Sequence, residues 1–308
     1  ALIPAMAEQA AHVTMLQRSP TYVVSRPAED AFANWLRAKL PSKLAYGITR
    51  WRNVLFGMFF FNLARKRPER VKQRLLGMVR EQLGPDYDVD THFTPRYNPW
   101  DQRLCLVPDA DLFESLKAGE ASVVTDTIAR FVPAGIELES GKTLPADVIV
   151  TATGLELQVL SDVDFTVDDK PVEFAKTFNY KGMMFSDVPN LASSFGYTNA
   201  SWTLKADLTC AYVCRLLNTM KARGLRQATP RVGDMQLTPE PFLDFSSGYV
   251  TRALEKFPKQ GSRKPWKLNQ NYAKDLVALK FGSVDAGMTF SNPQPSAAAR
   301  RERDEIPA

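Results

Sequence analysis

The stretch from residue 122 to residue 154, SVVTDTIARFVPAGIELESGKTLPADVIVTATG, constrains the fold more than any other part of the chain. Apolar and β-branched residues alternate or cluster through it, and Ser140-Gly141 supplies the residue types of a tight turn. The pattern predicts strand, strand, a hairpin turn, and then a buried strand over DVIVTATG that ends at Gly154. A glycine at that end lets backbone approach closely where a Cβ would obstruct it. Such a block needs helices elsewhere to cover the sheet it enters.

The flanking segments supply them. HVTMLQRSP, residues 12 to 20, reads as a short buried strand with a polar tip, preceded by a helix-like stretch. That order matches the second half of a β-α-β unit whose first strand and glycine loop are absent, so the sequence is expected to begin inside a domain. From about Phe32 to Gln82 the pattern is helical, with breaks expected at Pro41, Gly47 and Pro68. VPNLASSFGYTNAS, residues 188 to 201, reads as another buried strand opening into a loop. A helix is predicted from Trp202 to Ala222, with Leu204, Leu208, Tyr212, Leu216 and Met220 on one face and Gly224 beyond its end. Short helices are expected near 247–257 and 271–280, and the tail has too little to bury to be ordered. The alternation of strands and helices, without internal repeats, gives an α/β architecture.

Composition excludes several classes. At 308 residues the chain can bury a large core and is expected to hold two structural units. The net charge of +5 is mild and not gathered into one tract, which argues against nucleic acid as a partner. Three cysteines make no disulfide framework, which suits a reducing, cytoplasmic compartment. Cys210 and Cys214 share a helical face and are expected to be packed small side chains. His12 and His92 lack metal-ligand spacing, so no metal is expected. The longest apolar run, VLFGMFFFNLA at 54 to 64, is too short to span a bilayer. The basic ARKRPERVKQR at 64 to 74 is expected to be a solvated helix face; peripheral contact with a membrane surface is its alternative.

The tip of the strand at 12–20 carries Arg18 and Ser19 and no carboxylate. In a dinucleotide-binding unit that tip faces the adenosine ribose, where an acid accepts from the hydroxyls and an arginine accommodates a 2′-phosphate. Arg18 offers fork geometry to phosphate oxygens and Ser19 a hydroxyl, which favours NADPH over NADH; a merely solvated arginine is the alternative.

Taken together, VTMLQRSPTY, YNPWDQRLCLVPDADLF, VVTDTIARF, ADVIVTATGL, GYTNASWTLKADL and PKQGSRKPWKLNQNY resemble the flavin-containing Baeyer–Villiger monooxygenases over about residues 1 to 290. The resemblance implies two dinucleotide-binding, Rossmann-like domains with a helical insert, truncated at the N-terminus, and FAD and NADPH as cofactors. It divides the chain into a partial NADPH-binding domain (1–30), the insert (31–95), the rest of the NADPH-binding domain with its hairpin (96–153), the C-terminal part of the FAD-binding domain (154–290) and a disordered tail (291–308). The implied reaction inserts one oxygen atom of O2 next to a ketone carbonyl to give an ester or lactone, with oxidation of sulfur compounds beside it.

Residue by residue, the resemblance makes Arg103 the active-site arginine, a permanent cation able to hold developing negative charge. Gln102 falls where relatives often carry a lysine near the 2′-phosphate, which leaves Arg18 and Ser19 as the main phosphate contacts. Thr153 and Gly154 end the strand that returns to the flavin domain. Asn199, Ala200 and Ser201 precede a helix N-terminus that faces the flavin ring, with simple helix capping as the companion reading. Trp266, in QGSRKPW, belongs to a mobile element closing over NADP, with ordinary packing as the alternative. No GxGxxG occurs in these residues, so the chain alone is expected to be inactive. An N- or S-oxygenating flavin monooxygenase and a non-catalytic remnant are the competing readings.

Overall fold

The structure, a computed structural model, describes residues 2–294 apart from Arg103, Asp244 and the side chain of Asp162. Most of the expected tail, residues 295–308, lies outside the described residues. The chain divides into two compact units after Gly154.

The first unit runs α1 (Leu2–Ala7), β1 (Val13–Gln17), β2 (Val23–Arg26), α2 (Ala31–Lys39), α3 (Ser42–Lys66), α4 (Pro68–Leu83), α5 (Val89–Phe93), β3 (Cys105–Pro108), α6 (Asp111–Lys117), β4 (Ala121–Thr125), β5 (Ile128–Val132), β6 (Gly135–Leu138) and β7 (Thr143–Pro145). β1 pairs in parallel with β4, from Val13↔Ala121 to Gln17↔Thr125, and β2 in parallel with β3. Parallel neighbours require a crossover, and the helices between them cover the sheets. Val13, Val23, Val107 and Val123 from the strands pack with Val79, Phe93, Phe113 and Leu116 from the helices.

Local chemistry explains the helices between β2 and β3. Asp30 caps α2 by accepting from the Ala33 amide at 3.0 Å. Pro41 and Pro68 separate α2, α3 and α4, each lacking the N–H that would continue a helix. Gly47 does not break α3, contrary to expectation: it costs a helix only about 1 kcal/mol, which the surrounding turns absorb. Val71, Leu75, Leu76 and Val79 form the buried face of α4, so its basic side is the solvated back of a core helix.

β5, β6 and β7 form an antiparallel sheet turning at Gly141, whose φ is +85°. At Gly135 a Cβ would stand 2.0 Å from the Leu144 carbonyl oxygen, so only glycine lets β6 approach β7 there. The buried strand expected over DVIVTATG does not form. Residues 147–154 carry no strand pairing among the described residues, and Val148 is 76% exposed. A buried strand needs neighbours along its edges, and the hairpin sheet stops at Pro145 without supplying one.

The second unit contains β8 (Thr166–Val167), β9 (Lys170–Pro171), β10 (Asn179–Tyr180), β11 (Met184–Phe185), α7 (Trp202–Ala222), β12 (Gln227–Pro230), β13 (Pro239–Glu240), α8 (Gly248–Ala253), β14 (Gln260–Gly261), α9 (Tyr272–Lys280) and β15 (Met288–Ser291). α7 buries Leu204, Leu208, Tyr212, Leu216 and Met220 and packs against α9. Cys210 and Cys214 are exposed rather than packed, because a two-residue offset from Leu208 and Tyr212 turns them about 200° around the helix. The strand expected within 188–201 is also absent. Its backbone groups bond elsewhere: the Ser193 amide to the Met183 carbonyl at 2.7 Å and the Asn190 amide to the Ala228 carbonyl at 3.0 Å.

Candidate functional site

In the first unit, Arg18 and Ser19 follow the C-terminal end of β1, and both are exposed. Ligands of α/β sheets bind beyond the carboxyl ends of parallel strands. The strand end beneath them is held by polar contacts. Gln17 Nε2 donates to the His92 carbonyl at 2.7 Å and to Thr125 Oγ1 at 2.9 Å, and His92 Nδ1 lies 2.9 Å from the same hydroxyl.

The segment leading to residue 103 is held against α3. Trp100 stands edge-on to Phe60 and Phe61, at 5.3 and 5.8 Å between ring centres. Arg65 donates to Asp101 Oδ1 at 2.8 Å, and Asp101 Oδ2 accepts from the Asn98 amide at 3.1 Å. Gln102 is half-buried and bridges to Pro99. Arg103 itself lies outside the described residues. Thr153 and Gly154 are exposed at the end of the extended segment, with Gly154 at φ +116°.

In the second unit, Asn199, Ala200 and Ser201 lead into α7 over a buried polar cluster that the sequence did not reveal. Lys205 Nζ donates to Asp275 Oδ2 at 2.7 Å, with side chains only 7% and 6% exposed. Tyr197 Oη donates to the same carboxylate oxygen at 2.8 Å, and Asn269 Nδ2 donates to the other at 2.7 Å. Burial, and then the Asp275 charge, push the Tyr197 phenol far above its usual range, so it stays a proton donor. The ammonium and carboxylate cancel in charge, and the neighbouring donors satisfy the lone pairs a buried carboxylate must fill.

This cluster staples the loop before α7 to residues 269–275. The Thr198 amide donates to Gln270 Oε1 at 3.2 Å, and Asn199 Nδ2 donates to the Gln270 carbonyl at 3.0 Å. Gly196 permits the stacking beneath, since a Cβ there would stand 2.1 Å from the Trp202 ring. Ser201 occupies the cap position of α7, yet its hydroxyl bonds Thr203 Oγ1 at 2.8 Å and caps no amide. A cavity of about 20 Å³ beside Lys205, Gln270 and Asp275 has room for roughly one water.

Trp266 is enclosed by the second unit. It is 0% exposed, edge-on to Tyr180 at 5.3 Å and near Phe178 at 6.5 Å, and its indole N–H has no hydrogen-bond partner among the described residues. In this arrangement the ring is packed among aromatic neighbours, as in the packing alternative.

Lys205, Asp275, Tyr197, Asn269 and Gln270 carried no periodic signal. Lys205 sits beside Leu204 on a helix, and only the polar run NQN at 269–271 hinted that a structured turn precedes α9. Among the described residues no His, Cys, Asp and Glu group is arranged to hold a metal ion, and no helix is long and apolar enough to cross a membrane.

No family model matches the chain. It is 49% identical over 297 residues to the FAD-containing monooxygenase EthA of Mycobacterium tuberculosis, covering 96% of this chain and 61% of that protein. It is 45% identical over 307 residues to the probable FAD-binding monooxygenase AlmA of Acinetobacter baylyi, covering 99% of this chain and 61% of that protein. The chain thus spans about three fifths of the length of these relatives. Among solved structures, an oxidized steroid monooxygenase bound to NADP aligns with a TM-score of 0.63 at 15% identity, over 94% of this chain and 64% of that one. A cyclohexanone-bound cyclohexanone monooxygenase aligns with a TM-score of 0.55 at 14% identity, over the same shares, 94% and 64%. At such identities the likeness establishes the fold, the Rossmann-like α/β architecture of these structures.

Proposed function

Because the chain is 49% identical to EthA over the three fifths of that protein's length that it spans, we propose that it belongs to the FAD-containing monooxygenase family and serves an FAD- and NADPH-dependent monooxygenase of Baeyer–Villiger type. The observation that carries this reading is identity of 49% spread over 96% of the chain. In this reading the substrates are O2 and a small ketone or sulfur compound, with an ester or lactone formed from the ketone. In this reading the protein works in the cytoplasm, with peripheral membrane contact through the basic helices as the alternative. Residues 1–30 and 96–153 form the NADPH-binding domain around the insert 31–95, and residues 154–290 belong to the FAD-binding domain.

When bound, NADPH supplies a hydride and FAD the ring on which O2 is activated. The exposure of Arg18 and Ser19 just past β1 supports their role at the 2′-phosphate, with the guanidinium as counter-charge and the hydroxyl as donor. Gln102, being neutral, adds no charge there. Arg103 stays protonated through any turnover and holds negative charge as it develops on the substrate oxygen. The N-terminal amides of α7, behind Asn199, Ala200 and Ser201, offer partial positive charge to an electron-rich ring edge. Thr153 leads to Gly154, which lets backbone approach the cofactor with no side chain between.

The test is made on the protein in its full encoded length. Arg103→Ala should abolish ester formation from a cyclic ketone while NADPH oxidation stays measurable; unchanged ketone oxidation would remove the arginine from the reacting centre. A thioether assayed beside the ketone separates the chemistries, since an enzyme confined to N- or S-oxygenation yields sulfoxide and no lactone. A purified protein without flavin absorbance would overturn the reading altogether.

A further inference from the structure

Helix α3 leaves a stripe of large apolar side chains open to solvent. Leu44, Ile48, Trp51, Leu55 and Phe59 are between 39% and 65% exposed. Their spacing of four, three, four and four residues places them on one helix face, in a strip about 22 Å long. Helix α2 adds Phe32 and Trp35, exposed and stacked at 6.0 Å, and Arg52 of α3 lies 4.7 Å from the Phe32 ring centre. The opposite face of α3 is committed: Val54 and Ala64 are buried, Phe60 and Leu63 join the core, and Phe60 and Phe61 hold Trp100, while Tyr46 and Phe56 beside the stripe are exposed as well.

The charge around this stripe is predominantly positive, although Arg52 pairs with Asp30 and Arg65 with Asp101. Between residues 31 and 68 there are eight Lys and Arg and no Asp or Glu. An apolar helix face rimmed by cations and aromatic rings suits the boundary between anionic headgroups and acyl chains. A second copy of the chain suits it poorly, because an isologous contact would bring two such basic segments together with no acid in either to pair them. The basic segment at 64–74 is a weaker site than α3, since the apolar residues of α4 are spent in the core.

We propose that α2 and α3 form a docking element for an anionic membrane surface. α3 lies in the plane of the bilayer with Leu44, Ile48, Trp51, Leu55 and Phe59 in the acyl boundary, and its Lys and Arg side chains reach the lipid phosphates. The proposal rests on exposure and charge and is independent of the oxygenation chemistry.

The full chain is sedimented with phosphatidylglycerol vesicles and, separately, with phosphatidylcholine vesicles. Binding to phosphatidylglycerol should exceed binding to phosphatidylcholine by about tenfold or more and weaken at high salt. Leu55→Ser with Phe59→Ser should lower binding about a hundredfold. Both side chains are more than half exposed, so circular dichroism and the Tm should hold; Leu44→Ser, at the start of the helix, provides a second variant. Equal binding by parent and variants, or no binding to either vesicle, overturns the proposal. So does a dimer in sedimentation equilibrium that the double variant splits, which would assign the stripe to a second copy.

Discussion

Lys181 sits where an ammonium is costly. Its Nζ donates to the Ser283 carbonyl at 2.9 Å and lies 4.5 Å from the Tyr212 ring centre. Burial first, and then the Arg215 charge, lower its pKa from 10.5 to about 8. Between those values the unfolded chain holds the proton and the folded one does not, so this group makes stability rise with pH from about 8 to 10.5. Tyr22 acts in the opposite sense. Burial, then Tyr97, raise its pKa from 10.0 to about 12, so the unfolded chain ionises first and stability falls across that interval. Urea midpoints measured against pH should lose the rise in Lys181→Met and part of the alkaline fall in Tyr22→Phe. A parent-like profile in either variant removes that residue from the account. At Lys205, substitution by Met strands a buried carboxylate and should cost about 3–5 kcal/mol in urea unfolding. Adding Asp275→Leu should recover much of it, whereas a double variant as unstable as the single one would show that packing, not charge, sets the cost.

At the scale of elements, glycine and proline act through backbone geometry. Gly135→Ala drives a methyl into the Leu144 carbonyl at a positive φ and should destabilise the hairpin by about 1–3 kcal/mol, read as a lower Tm. Gly47→Ala, with nothing within 4 Å of the new methyl, should raise stability by about 0.5–1 kcal/mol. α7 was legible in the sequence from end to end, because five buried residues at helical spacing and a glycine beyond them are local signals. β2 went unread, since VVSR is short and lacks alternation. The stretches 147–154 and 188–201 looked like strands because their composition suits one. Neither acquired a ladder, which depends on a neighbour that composition does not specify.

Across the molecule, the two compact units meet in sequence at an exposed, extended segment. Limited proteolysis of the 308-residue chain should cut first between residues 147 and 158 and release two fragments identifiable by mass. Resistance there, with cleavage elsewhere, would mean that this segment is covered in solution. Sequence alone determined the α/β class, the helical block divided at Pro41 and Pro68, the position of Arg18 and Ser19 beyond a strand, and the stripe of α7. Each of these follows from residue types and spacings within one or two turns or one strand, where local sterics and amphipathicity act. Tertiary structure decided the rest. It buried Trp266, joined Lys205 to Asp275 across 70 residues, turned Cys210 and Cys214 outward, and left the apolar face of α3 uncovered. Those outcomes depend on which distant side chains arrive at a surface, and burial and hydrogen bonding are properties of the partners as much as of the residue itself.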